Sequence, residues 1–379
     1  EAVASILSGK AAELNQKAVD NGLVRENGAF KIIKGEQGIE VNVEDSIAAI
    51  ENYISSEWDG GNAEIELVAE VVEPRGSEED LEQITDMMGS YTTNYKDSGQ
   101  NRCDNISNAT SKINGTLLYP GEEFSVYEAI GPLDAANGYE LAGAYENGQT
   151  VESYGGGVCQ VSTTLYNAVI LAELEITQRS NHSMIVSYVK PSMDAAIAGD
   201  YKDLRFVNNQ DIPIYIEGYT EGKNVTFKIY GHDTRPSNRV VTYESEVISE
   251  QDPGTQYVAT GDPAGYMKTA QGKHIGYVAR LWKVVTVDGV EESREIFNKS
   301  TYKASPKIVN VGTASADPNV SAVIGAALAT GDEATINAAV APYAASAAAI
   351  LNPAPVEQPS QEEQAITGTV DESQITGGE

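Results

Sequence analysis

The stretch that most constrains this chain is Tyr154-Gly155-Gly156-Gly157-Val158-Cys159-Gln160-Val161-Ser162-Thr163-Thr164. Three glycines in a row permit left-handed backbone angles and close approach of other groups. Directly after them, Val161, Leu165, Ala168, Val169 and Ala172 form an i, i+4, i+7, i+8, i+11 stripe, the spacing of a helix. The chain is therefore expected to turn tightly and enter a helix with a cysteine in its first turn. Backbone N–H groups and the macrodipole at a helix start favour the thiolate, the nucleophilic form. The same N–H groups can stabilise an oxyanion, so Gly157, Cys159 and Gln160 are candidates for that role. This is the arrangement a cysteine acyl-transfer enzyme needs. A buried cysteine behind a glycine-rich turn is the competing reading.

His182 follows Cys159 after one helix and the short segment Arg179-Ser180-Asn181. It is expected at the mouth of a strand over Met184–Val189. A helix that starts with Cys beside a strand that starts with His can join thiol and imidazole. Asp194 can orient the imidazole from a returning loop, and Asp203 is its rival for that place.

Composition removes other chemistries. With 25 Lys and Arg against 56 Asp and Glu, the net charge is −31. Such a field repels phosphate backbones and anionic lipid, so no nucleic-acid partner is expected. There are two cysteines, Cys103 and Cys159, and three histidines, His182, His232 and His274. No HExxH, CxxC or P-loop pattern occurs, so neither a metal nor a cofactor is expected. No uninterrupted apolar stretch is long enough to span a bilayer. A start at Glu1 without Met reads as a mature or truncated ectodomain, its targeting segment or membrane anchor removed before Glu1.

The chain reads as α+β and multidomain. Residues 1–88 form a small α+β domain, with helical spacing over Ala2–Ala18, short strands at Phe30–Ile33 and Gly38–Val41, and a helix opened by Asn42. A half-buried strand is expected over Ala63–Ala69 and a last helix from Glu78 to Met88. Residues 89–235 hold a helix ending at Ile113, the glycine turn with its helix against a sheet, and strands at Met184–Val189, Leu204–Val207, Ile212–Ile216 and Val225–Tyr230. Residues 236–313 read as a β module, with Asp288-Gly289 as a hairpin turn. Residues 314–379 are alanine-rich and weakly helical over 322–349. Beyond Asn352 the composition favours a disordered tail.

The central block resembles the VanW-like domain of Gram-positive bacteria. The residues that carry the likeness are Asn101-Arg102, Asn105-Ile106, Asn114-Gly115, Pro120 to Ser125, Gly138-Tyr139, Gly155 to Tyr166, Asn181-His182-Ser183 and Asp203 to Phe206. Residues 1–88 resemble the YoaR-like peptidoglycan-binding domain that often precedes it, and residues 236–313 the glycine-rich wall-associated β module that often follows. The family takes its name from vancomycin-resistance clusters. The resemblance implies an extracellular cell-wall protein that acts as an L,D-transpeptidase on peptidoglycan stem peptides and forms 3-3 cross-links. Cys159 is then the nucleophile and His182 its matching histidine. A non-catalytic wall-binding protein is the alternative.

Stem peptides carry carboxylates, so a protein this acidic needs a local basic or amide-rich patch beside the thiol. The candidates are Arg102, Asn105, Tyr154, Asn181 and Arg205. Arg102 comes first, because a guanidinium grips a carboxylate with two hydrogen bonds. A Cys103–Cys159 disulfide, which would block the nucleophile, stays open.

Overall fold

A computed structural model describes residues 2–146, 149–199 and 201–351. It is mixed α+β and divides into two compact units, one of residues 1–253 with 273–305, the other of residues 254–272 with 306–379.

The first unit opens with a helix, Ala2–Leu14, and a hairpin, Gly22–Glu26 with Ala29–Ile33. Asn27 and Gly28 both take positive φ in its turn, as a two-residue hairpin requires. Asn42 caps the helix Val43–Ser56 by accepting from the Asp45 N–H at 3.0 Å. Two expectations change here. The strand expected over Ala63–Ala69 forms instead at Ala69–Val72, where Gly38–Val41 supplies its pairing partner. The helix expected to run to Met88 stops at Glu82. Residues 86–94 pair antiparallel along nearly the whole of Asn224–Gly231, and that ladder takes Met87 and Met88 into a strand.

That strand begins the central four-stranded sheet, ordered Asp86–Asn94, Asn224–Gly231, Ile214–Glu221, Thr116–Leu118 and antiparallel throughout. The helix Val158–Leu171 lies on it. A Cβ on Gly89 would fall 2.2 Å from the Ala168 carbonyl, so glycine lets helix and sheet meet backbone to backbone. Ile106, Val161, Leu165, Val169, Phe227 and Ile229 pack the core between sheet and helices.

The sequence stripe predicted one apolar face for this helix. Val158 and every residue from Gln160 to Ile170 are in fact buried. Gln160 and Thr164 bond Thr93 of the sheet, while Thr163 and Asn167 bind a returning loop. The Thr163 hydroxyl accepts from the Ala195 N–H at 3.0 Å, and Asn167 Nδ2 donates to the Met193 carbonyl at 2.8 Å.

A three-stranded sheet joins Glu175–Gln178 and Arg205–Val207, which follow the helix in the chain, to Glu123–Ser125, which precedes it. The strand expected at Met184–Val189 is absent, and these residues form an irregular loop. Burial alternates along Met184, Val186 and Ser187, but the segment has no strand to pair with. Arg239–Gln251, Gly276–Val287 and Val290–Tyr302 complete the unit as another antiparallel sheet, with the hairpin turning at Asp288-Gly289 as read.

In the second unit, Lys307–Ala314 pairs parallel with Thr255–Pro263 and antiparallel with Met267–Gln271. Helices Pro318–Thr330, Glu333–Val340 and Ala344–Leu351 follow. Residues 314–351 are thus folded structure and not a tail. Asp317 and Asp332 cap their helices, Gly331 ends the first, and Ile324, Ile336 and Val340 pack with Val309 and Val311. The helical run Glu333–Leu351 is long and apolar enough to cross a membrane by length and composition alone, although Ile336, Val340 and Ala347 are buried. The disorder expected beyond Asn352 lies outside the described residues.

Glu173 ties the last sheet of the first unit to the helix. Its carboxylate receives Arg239 Nη2 at 2.9 Å and Lys283 Nζ at 2.7 Å. Burial works to raise its pKa, but these partners, Arg239 first, hold it at about 2. A carboxylate depressed in the fold contributes stability above its unfolded pKa and loses it as pH falls through the folded value. Glu173→Gln should therefore lower stability at pH 7 by about 1–3 kcal/mol, discounted for partial exposure. Thermal melts of variant and parent should converge between pH 4.5 and pH 2.

Candidate active site

The helix that carries the cysteine starts on Gly157, whose φ of 115° lies in the left-handed region. A Cβ there would meet Arg102 Cγ at 3.0 Å and Ile106 Cγ1 at 3.1 Å, both on the helix Gln100–Ile113. Backbone angle and space each demand glycine. Asn105 fastens the turn from the same helix: its Nδ2 donates to the Gly156 and Glu140 carbonyls at 3.1 and 2.9 Å, and its Oδ1 accepts from the Glu140 N–H at 2.8 Å. It is fully buried and is not part of the groove lining.

Cys159 is the second residue of the helix and the one residue between 158 and 170 that is not fully buried. The clasped loop runs past it, and the Ile197 N–H points at Sγ from 3.4 Å. The thiol itself lies 3.4 Å from the Ile197 carbonyl, and the imidazole of His182, 7% exposed, is close enough to act on it through hydrogen bonding and charge. His182 Nδ1 lies 2.7 Å from Asp194 Oδ2, which also accepts from the His182 backbone N–H at 2.7 Å. On Asp194 the other oxygen receives Arg179 Nη2 at 3.1 Å and the Tyr302 hydroxyl. The structure thus brings Cys159, His182 and Asp194 into one line, with His182 in a loop. Asp203 is occupied elsewhere. It accepts from Ser125 Oγ at 2.6 Å and from the Tyr127 N–H at 2.9 Å.

The charges support one another. Burial works against a thiolate, yet the hydrogen bond and charge of His182, with the Ile197 N–H, bring the Cys159 thiol below its ordinary pKa. Burial also works against an imidazolium, but Asp194 and Cys159 raise His182 to about 9. For Asp194, too, burial is outweighed, by His182 and then Arg179, and the carboxyl stays below its ordinary value. A thiolate–imidazolium pair is the form these groups stabilise together.

An open groove of about 1830 Å³ gives access to the sulfur. Arg102, Tyr154, Gln160, Tyr188, Lys202 and Lys303 are among its walls. Arg102 donates to Ser98 Oγ at 2.7 Å and to Gln160 Oε1 at 2.8 Å. It has no carboxylate at ion-pair distance among the described residues. Tyr154 is 42% exposed on the wall.

The other expected contacts are committed elsewhere. Asn181 Nδ2 donates to the His182 and Thr301 carbonyls at 2.7 and 2.9 Å. Arg205 pairs with Glu123, Glu128 and Asp203 at 3.2, 2.7 and 3.1 Å and lies outside the groove lining. The Gln160 N–H donates to the Gly157 carbonyl at 2.9 Å, so it is not a free oxyanion donor. The Cys159 N–H has no partner among the described residues.

Both cysteines are free thiols, and Cys103 Sγ rests 3.7 Å from the Ser98 carbonyl. Among the described residues no cluster of three His, Cys, Asp or Glu could hold a metal. Sequence reading passed over Tyr188. Its ring stands edge-on to His182 with centroids 6.4 Å apart, and burial, then the charge of Cys159, push its phenol well above the ordinary value. The one signal for it was a tyrosine on the segment read as a strand beside His182.

A cysteine, a histidine and an aspartate gathered at a groove in a multidomain α+β chain set the class to compare. Comparison with family models places VanW like protein on residues 101–230, the G5 domain on residues 241–314, and "Putative peptidoglycan binding domain" on residues 1–59. Uncharacterized protein YoaR of Bacillus subtilis (strain 168) is 32% identical over 214 residues, 56% of this chain and 69% of that protein. Vancomycin B-type resistance protein VanW of Enterococcus faecalis (strain ATCC 700802 / V583) is 30% identical over 118 residues, 30% of this chain and 42% of that protein. Among solved structures, the IgA1 protease G5 domain is 28% identical, covering 20% of this chain and 94% of its own, with a TM-score of 0.15. HP0197-G5 is 17% identical, covering 19% and 97%, with a TM-score of 0.12.

The chain belongs to the VanW-like family, and its glycine-rich β module is a G5 domain. A peptidoglycan-binding domain, a VanW-like domain and a G5 domain in that order make it a cell-wall-associated extracellular protein.

Because the thiol pKa is lowered, Cys159 should stay reactive at a pH where an ordinary thiol is protonated. In Cys103→Ala, which leaves one thiol, the rate of iodoacetamide alkylation should hold a plateau from mildly acidic pH upward. His182→Gln should restore the fall of about tenfold per pH unit below 8.5 that an isolated thiol shows. Intact mass against time reads both.

Proposed function

We propose that the protein is a peptidoglycan L,D-transpeptidase that works through a cysteine acyl-enzyme. The observation that carries this reading is a Cys159–His182–Asp194 line at a helix start, open to a groove. The thiolate attacks the carbonyl joining residues three and four of a stem tetrapeptide. The Cys159 N–H is a donor for the oxyanion that forms. The His182 imidazolium gives its proton to the departing amine, and the terminal D-Ala leaves. Neutral imidazole then takes a proton from the side-chain amine of a neighbouring stem as that amine attacks the thioester. The result is a 3-3 cross-link and a regenerated thiol. Asp194 keeps Nδ1 of the imidazole engaged through both steps.

The groove supports the choice of substrate. It is open enough for a donor and an acceptor strand, and Arg102 offers a guanidinium without a carboxylate partner among the described residues. In a chain of net charge −31, such a group beside the nucleophile suits the carboxylate of a stem peptide.

Incubation with a stem tetrapeptide should add the mass of the stem less D-Ala to Cys159, and an acceptor amine should discharge it. Cys159→Ala should lose cross-linking by at least about a thousandfold while keeping its fold. Cys103→Ala should retain activity. If the folded parent forms no adduct with stem peptides or with a carbapenem-type acylating agent, the wall-binding alternative stands. Arg102→Ala should lower acylation by a carboxylate-bearing stem about tenfold and that by its amidated counterpart much less. Equal losses would make Arg102 a support for Gln160 and not a reader of substrate.

A further inference from the structure

The second oxygen of Asp194 is held only in part by its own neighbourhood. Its donors are Arg179 and the hydroxyl of Tyr302, a residue 108 positions further along the chain. Tyr302 ends the strand Val290–Tyr302, within the span matched as a G5 domain.

This strand meets both loops of the catalytic line. Tyr302 Oη accepts from the buried Ser192 N–H at 2.7 Å while donating to Asp194. Ser300 Oγ accepts from Arg179 Nη1 at 2.9 Å, and Arg179 Nε in turn donates to the Asp194 carbonyl at 2.7 Å. The Thr301 carbonyl accepts from Asn181 Nδ2 at 2.9 Å, and the Lys303 N–H donates to the Ser183 carbonyl at 2.7 Å. Residues 181–183 carry the histidine and residues 192–194 the carboxylate. The strand works as a splint across the two.

We infer that the G5 segment completes the catalytic site, with Tyr302 as the positioning residue that fixes the Asp194 carboxylate for His182. With Oδ1 pinned by Tyr302 and Arg179, Oδ2 is presented to the imidazole Nδ1. Without the hydroxyl the carboxylate can rotate, and the Ser192 N–H loses its acceptor in a buried setting. The imidazole then spends less time aligned with the sulfur, and the thiolate–imidazolium pair loses population. The titratable and charged groups that face this line are Arg179 and Tyr302 at Asp194, and Tyr188 with Arg102 beyond Cys159. The inference rests on Cys159 being the nucleophile, but not on the stem peptide being its substrate.

The test uses the full chain in the Cys103→Ala background and reads iodoacetamide alkylation of Cys159 against pH. Tyr302→Phe keeps the ring and removes the hydroxyl. The acid limb of its profile should move to higher pH, with the rate at pH 6 falling about tenfold, as for a thiol pKa raised by about one unit. Asn298→Ala is the control for a purely structural effect. Asn298 bonds the Ser192 carbonyl and the Tyr166 hydroxyl but not the Asp194 carboxylate, so its profile should match the parent's even where its melting temperature drops. A folded Tyr302→Phe with the parent's profile overturns the inference. If Tyr302→Phe does not fold, Ser300→Ala, which frees Arg179 from the strand, must shift the limb the same way, and an unchanged profile overturns the inference there. Stem-peptide adducts on the parent report separately on the transpeptidase reading, since alkylation needs no stem.

Discussion

Everything at the site depends on how the helix Val158–Leu171 is clasped. On one side it lies against the central sheet, so closely that Gly89 has no room for a side chain. On the other side, Thr163 and Asn167 hold the backbone of residues 193–195. A helix this buried cannot slide or roll, because each shift would break polar bonds in a dry interior. The loop fastened to it brings Asp194 and Ile197 alongside Cys159, and Asp194 in turn seats His182. Thr163 and Asn167, which look like polar interruptions of an apolar stripe, are what hold the loop that gathers these groups.

Much of this was legible in the sequence and some of it was not, for reasons that can be named. Three glycines and a helical stripe located Cys159 at a helix start, because left-handed φ and helical periodicity are local properties. Helix caps such as Asn42 were legible for the same reason. Asp194 and Asp203 could not be separated by spacing, since only the packed loops decide that one meets His182 and the other Ser125. Met184–Val189 looked like a strand because burial can alternate along any extended chain, while a strand also needs a partner. Asn105, Asn181 and Arg205 are polar residues in the separate stretches that carry the family likeness. Which of them faces a groove and which braces a loop depends on partners far away in the chain. Tyr302 had no motif to mark it at all. In the C-terminal part, alanine bias masked the Asp317, Gly331 and Asp332 punctuation that delimits packed helices.

Charge is unevenly distributed. In a chain with a surplus of 31 negative charges, the groove walls carry Lys96, Arg102, Lys202 and Lys303 against Asp97, Asp134 and Glu152. Elsewhere in the molecule arginines are paired: Arg205 with three carboxylates, Arg294 with two, Arg75 with two. Arg102 instead spends its hydrogen bonds on Ser98 and Gln160, neutral partners that fix its direction and leave its charge uncompensated. Its orientation is set by the same glutamine that anchors the helix start to Thr93 and Asn94.

The outer strand of the central sheet has a practical consequence for anyone who would shorten this chain. Asp86–Asn94 begins before the span that the VanW-like model matches, yet it pairs with Asn224–Gly231 along nearly its full length. A fragment cut to residues 101–230 would expose that inner strand as a raw edge, with unpaired N–H and C=O groups ready to recruit another molecule. It would also drop Thr93 and Asn94 from the helix start. Such a fragment should come out of cells as aggregate, and its insolubility would reflect where it was trimmed, not any weakness of the intact protein.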